Sequence, residues 1–115
     1  MIKVIIKEKN SKIWSYEISG HAESGEYGHD VVCAAVSVLG ITTANNLYKM
    51  AKIRPLAEME SGYLKVEIPI TLSNKQSENS QFLLTAFVNA LEEVVAEYSQ
   101  YIELEHEVKK EANNA

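Results

Sequence analysis

The chain has 115 residues, 46% of them hydrophobic, with 16 acidic residues against 11 basic and a net charge of −5. That length suits one domain, typically about 100–150 residues, able to bury roughly two-thirds of the surface its unfolded chain exposes. The charge excludes a surface built mainly for nucleic-acid backbones, which needs clustered Lys and Arg, and the single cysteine excludes an intrachain disulfide framework.

The opening "MIKVIIKEKN" has neither the continuous apolar region nor the cleavage site of a signal peptide. No run is expected to reach the roughly 20 apolar residues of a membrane span. The expectation is a reduced, cytoplasmic protein. Ile2–Glu8 and Lys12–Ser19 are rich in β-branched and aromatic residues and read as a hairpin turning at "KNS". Alternation in the second strand groups Trp14, Tyr16 and Ile18 on one face, against Ile13, Ser15, Glu17 and Ser19. Gly20 to His29 holds three glycines, two histidines and two glutamates, and reads as a loop. From Asp30 onward "DVVCAAVSVLGITTANNLYKMAK" reads as a helix with Asp30 as N-cap. It is expected to end near Lys52, because Pro55 disfavours helical geometry at Arg54.

Leu56–Glu60 and Tyr63–Ile70 form a second predicted hairpin around Ser61 and Gly62. Leu64, Val66 and Ile68 share one face, and Pro69 marks a sheet edge or the strand's own end. "TLSNKQSENS" reads as a polar connection. A second helix, about Glu78 to Gln100, carries Leu83, Phe87, Ala90, Leu91, Val94 and Tyr98 at helical spacing. A last strand, "YIELEHEV", alternates Ile102, Leu104 and His106 against glutamates. The order β-β-α-β-β-α-β predicts an α+β domain over residues 1–108, with both helices packed on one face of a mostly antiparallel sheet. Residues 109–115 read as a frayed tail.

Cys33 is the first site candidate. With Asp30 as N-cap it is the third residue of the helix, where unpaired N–H groups and the macrodipole favour a thiolate. The alternative is an inert core cysteine among Val32, Ala34 and Val36. His21 follows a predicted strand, and the glycine-punctuated loop can bring its imidazole to the thiol, with N–H groups at the helix start, Cys33's own included, as oxyanion donors. The alternative is a loop histidine bonded to backbone. His29 is a second candidate base or a solvent-facing residue. Asp30 either orients His21 as a third member or simply caps the helix. Gly25 and Gly28 suit a flap that orders over a bound peptide, or an ordinary loop. A metal site from His21, Glu23, His29 and Cys33 is a rival of another class, but the spacing matches no zinc pattern. No cofactor fingerprint is present.

Across these residues, "GHAESGEYGHDVVCAAVSVL" closely resembles the signature of Prp, the family of small bacterial ribosomal-processing cysteine proteases. The match covers the Gly-His-Ala start, both loop glycines, the aspartate, and the Cys-Ala pair with a serine after it. Ala35 stands where many members have glycine, and the tail beyond Val108 is longer than usual. The resemblance implies a homodimeric Cys–His endopeptidase needing no cofactor. It implies removal of an N-terminal extension from a large-subunit ribosomal protein, the twenty-seventh of the L series. It places the nucleophile on Cys33, the base on His21, and an acidic residue of less definite role on Asp30. The family's flexible substrate-covering loop falls on Ala22, Glu23, Ser24, Gly25, Glu26, Tyr27, Gly28 and His29. A reading of a different class is a non-enzymatic dimeric assembly factor whose acidic surface holds a basic ribosomal segment.

Overall fold

The computed structural model describes residues 1–20 and 27–109, apart from the Tyr27 side chain. Strands β1 (Ile2–Lys9) and β2 (Lys12–Ser19) pair antiparallel through the two-residue turn Asn10-Ser11. Both turn residues adopt left-handed backbone angles, with φ of 54° and 65°, the geometry whose twist matches a two-residue hairpin. Helix α1 spans Tyr27–Lys49, β3 Leu56–Glu60, β4 Tyr63–Glu67, α2 Asn74–Tyr98 and β5 Ile102–Lys109. The five strands form one mixed sheet in the order β3-β4-β2-β1-β5, antiparallel except for β1 with β5. The expected α+β order and the two-helix layer are therefore present.

One inward face of the sheet carries the core. Ile2, Val4 and Ile6 of β1 sit beside Tyr16 and Ile18 of β2, Leu64 and Val66 of β4, and Ile102 of β5, all buried. The β2 alternation departs from expectation because of a bulge: Lys7 pairs with Ser15 but Glu8 with Ile13, so Trp14 is an extra residue. A bulge reverses the side-chain alternation beyond it. Ile13 thus turns into the core, and Trp14 lies partly exposed with the Lys7 Nζ 5.9 Å from its ring centre.

Both helices meet the same buried tyrosine. The Tyr16 hydroxyl donates to the Gly40 carbonyl of α1 at 2.7 Å, and its ring centre is 4.4 Å from that of Phe87 on α2. Gly40 allows α1 this close approach: a Cβ there would stand 2.6 Å from Ile18 Cδ1 and 2.9 Å from Leu64 Cδ2. By length and composition α1 is long and apolar enough to cross a membrane, with a mean hydropathy of 1.4 over an 18-residue window within Gly28–Lys49. This corrects the expectation that no such run exists. Its Val32, Val36, Gly40, Thr43 and Leu47 line nevertheless packs on the sheet, as a core helix does.

The helix ends differ from the sequence reading. α1 starts three residues before Asp30 and stops at Lys49. Ile53 N–H returns to the Leu47 carbonyl, with Lys52 in between at φ 60°. α2 starts in the stretch read as a connection, because Ser73 and Gln76 form a reciprocal capping box. The Gln76 amide also donates to the Lys52 carbonyl at 2.8 Å, tying the start of α2 to the end of α1. The buried line of α2 is Ser80, Leu84, Phe87, Val88 and Leu91, rotated from the predicted stripe so that Leu84 and Val88 are inside while Leu83, Val94 and Tyr98 flank them. Pro69 lies beyond the end of β4 rather than at a sheet edge. Lys109, placed in the tail by sequence, is the last residue of β5.

Gly40→Ala should destabilise the fold. Overpacking a core contact costs about 1–3 kcal/mol, and the better helix propensity of alanine offsets up to about 1 kcal/mol. The expected outcome is a lower denaturation midpoint at an unchanged slope, read by urea unfolding; an unchanged midpoint would show that Ile18 and Leu64 absorb the methyl.

Candidate active site

Strand β2 delivers the chain to the site through Gly20. Its φ is +83°, its N–H donates to the Gly62 carbonyl at 3.0 Å, and a Cβ there would stand 2.6 Å from the Met1 carbonyl oxygen. Only glycine combines that angle with that contact. His21, Ala22, Glu23, Ser24, Gly25 and Glu26, assigned by sequence to the base and the substrate loop, lie outside the described residues. Gly28 and His29, assigned to the same loop, are instead in the first turn of α1, as is the Tyr27 backbone.

The earlier helix start moves Cys33. It is the seventh residue of α1, not the third, and Asp30 is a first-turn residue rather than the N-cap. At this helix end the N–H groups of Tyr27, Gly28 and His29 precede the first bond of the helical ladder. The Cys33 N–H lies within the helical ladder, so it is not the oxyanion donor that the sequence suggested. Cys33 is half-buried against the core, and burial, followed by the charge of Asp30 three residues earlier, pushes its thiol above the ordinary value. The expected helix-terminus activation is thus opposed by the groups described. Spacings of three and four residues place His29, Asp30 and Ser37 on the same side of α1 as Cys33.

His29 and Asp30 interact with each other. The His29 Nδ1 is 3.8 Å from an Asp30 carboxylate oxygen, with the imidazole side chain 12% exposed and the carboxylate 55%. Nδ1 is buried without a hydrogen-bond partner among the described residues. The ring stands edge-on to Tyr101, centres 6.4 Å apart and planes at 77°. His29 is therefore turned inward, contrary to the solvent-facing reading. Among the described residues no group of three His, Cys, Asp or Glu gathers to hold a metal; His21 and Glu23 of the rival metal set are outside them.

The aromatic residues that could line a peptide groove are dispersed. Trp14 and Tyr63 are on the sheet face away from the helices, Tyr63 donating to a Glu17 carboxylate oxygen at 2.8 Å. Tyr48 is exposed at the far end of α1, with the Arg54 guanidinium carbon 5.9 Å from its ring centre. Sequence reading missed Tyr101, which carried no local signal: it is remote in the chain and reaches Gly28 and His29 only through the fold.

The only cysteine of this α+β domain thus lies on α1, one turn beyond His29 and Asp30. The chain belongs to the cysteine protease Prp family, whose model matches residues 1–103, and it is a cysteine protease. It is 31% identical over 101 residues to the ribosomal processing cysteine protease Prp of Bacillus subtilis strain 168, covering 85% of this chain and 90% of that protein. It also resembles two crystal structures of an essential ribosomal processing protease Prp from Staphylococcus aureus, each covering 93% of this chain and 100% of the other. One, with a substrate peptide, superposes with a TM-score of 0.82 at 25% identity. The other, with a covalently linked product peptide, gives 0.78 at 26%.

Asp30→Asn should lower the pH midpoint for Cys33 alkylation, since it removes a negative charge that disfavours the thiolate. A midpoint that rises, with turnover lost, would instead assign Asp30 the orienting role on His21.

Proposed function

We propose that this chain is a ribosomal-processing endopeptidase. It removes the N-terminal extension of a large-subunit ribosomal protein, the twenty-seventh of the L series, with Cys33 as nucleophile and His21 as general base and acid. The observation that carries the reading is that a member of a cysteine protease family has only one cysteine. The relatives support the substrate class: they are named for ribosomal processing, and one holds a covalently linked product peptide.

Because burial and Asp30 both disfavour the thiolate, Cys33 depends on a base. His21 takes the thiol proton as sulfur attacks the peptide carbonyl, and the imidazolium then protonates the leaving amine. Water, activated by the same imidazole, hydrolyses the thioester and regenerates the thiol. Asp30 acts by charge on the thiol, and residues 22–26, which precede α1, contact the peptide. The enzyme works in the cytoplasm as a homodimer; the exposed Val38, Ile41 and Tyr48 of α1 are consistent with an apolar interface.

Incubation of a peptide spanning that N-terminal extension, followed by mass spectrometry, tests the reading. Wild type should make one defined cut, and folded Cys33→Ala none. A peptide bound but uncut by folded wild type would favour an assembly-factor role for this peptide, and cleavage by Cys33→Ala would remove the nucleophile assignment.

A further inference from the structure

Tyr101 sits at a corner where three parts of the chain meet. Its N–H donates to the Tyr98 carbonyl in the last turn of α2 at 2.9 Å, and its carbonyl accepts from the Ile2 N–H of β1 at 2.8 Å. The backbone of this tyrosine is therefore fixed to two elements of the core. Its ring projects against the first turn of α1. A Cβ on Gly28 would stand 2.5 Å from Tyr101 Cε2 and 2.8 Å from both Cζ and the hydroxyl oxygen, so the glycine lets the helix backbone lie flush on the ring. The next residue, His29, presents its ring to the same tyrosine in a T-shaped contact.

The same corner holds the other side of the junction. Ile2, bonded to Tyr101, follows Met1, whose carbonyl packs against Gly20 at the end of β2. Gly20 precedes His21, and Gly28 precedes Cys33 by five residues. The strand end and the helix start are thus referenced to one rigid point.

We propose that Tyr101 is a positioning residue of the protease, its ring being the seat that fixes the first turn of α1 and, through that turn, the placement of Cys33. Tyr101 acts through Gly28 and His29 rather than on the reacting atoms. The turn it seats carries Asp30, whose charge bears on the thiol, so unseating the turn alters the thiol's surroundings as well as its position. A displacement of about 1 Å in a catalytic group costs on the order of a hundredfold in rate. The substrate part of this inference rests on the function proposed above; the placement of Cys33 does not.

The experiment is a double-variant cycle with Gly28→Ala and Tyr101→Ala, reading kcat and KM on the ribosomal peptide and the pH midpoint of Cys33 alkylation. Circular dichroism is used to retain only folded variants. Each single variant should lower kcat about ten- to a hundredfold with little change in KM, and should shift the alkylation midpoint. Tyr101→Phe, which keeps the ring, should recover most of the kcat lost in Tyr101→Ala. The decisive result is non-additivity: once the ring is gone the alanine methyl has nothing to displace, so Gly28→Ala should add little to Tyr101→Ala. Multiplicative losses, or single variants with wild-type kcat and midpoint, would overturn the proposal. If Tyr101→Ala does not fold, Gly28→Ala and a Gly28→Ala/Tyr101→Leu pair decide it by the same comparison. If wild type does not cut this peptide, the alkylation midpoints still decide the placement of Cys33, and only the substrate reading fails.

Discussion

The close approach of α1 to the sheet at Gly40 is the constraint from which the site follows. A helix with a side chain at that point would ride higher over Ile18 and Leu64, and the Tyr16 hydroxyl would lose its reach to the Gly40 carbonyl. Tyr16 is fully buried, and burial pushes its hydroxyl far above the ordinary value, so it stays a neutral donor. A buried hydroxyl without a partner costs about 1–3 kcal/mol. The hydrogen bond and the glycine contact therefore reinforce one another, and together they set the depth of the helix that carries Cys33. Contact with Phe87 brings α2 onto the same tyrosine, so one side chain references both helices to β2, the strand that ends just before Gly20.

Much of this architecture was legible in the sequence. Both hairpins showed as paired β-rich runs bounded by turn residues, and β2 and β3 have their predicted bounds. The errors share a cause. The Trp14 bulge, the Ser73–Gln76 capping box and the early start of α1 each depend on one or two residues whose effect is decided by pairing or hydrogen bonding. A period-two reading of β2 cannot register an inserted residue, so Ile13 and Trp14 exchanged sides. A compositional reading cannot see that glycine and histidine at 28 and 29 lie in a helical turn packed against Tyr101, which is remote in the chain. Ser73 and Gln76 were the exception: their spacing is a sequence-level capping signal, and it was available.

The candidate site was legible to a different degree. Cys33 stood out as the only cysteine after a glycine-punctuated stretch, and the structure seats it half-buried on α1. The electrostatic argument that put it at the helix terminus fails on that position. Moving the helix start from Asp30 to Tyr27 shifts Cys33 by a full turn, and the influence of a helix end fades within about its first turn. What replaces it is opposite in sign: an acidic neighbour one turn away and a half-buried thiol.

That reversal changes what the rest of the site must supply. A cysteine at a helix terminus is partly ionised before substrate arrives, and a histidine beside it chiefly shuttles the proton. Raising the thiol by burial and Asp30 lowers its ionised fraction, so more of the activation falls to a base that takes its proton before or during attack. In the proposed mechanism that base is His21, the residue after Gly20. Both Gly20 and Gly28 are glycines whose Cβ positions are occupied, by the Met1 carbonyl and the Tyr101 ring. Met1 adjoins Ile2, and Ile2 is hydrogen-bonded to Tyr101. The end of β2 and the first turn of α1 are thus both referenced, by packing and a backbone hydrogen bond, to the same corner of the fold.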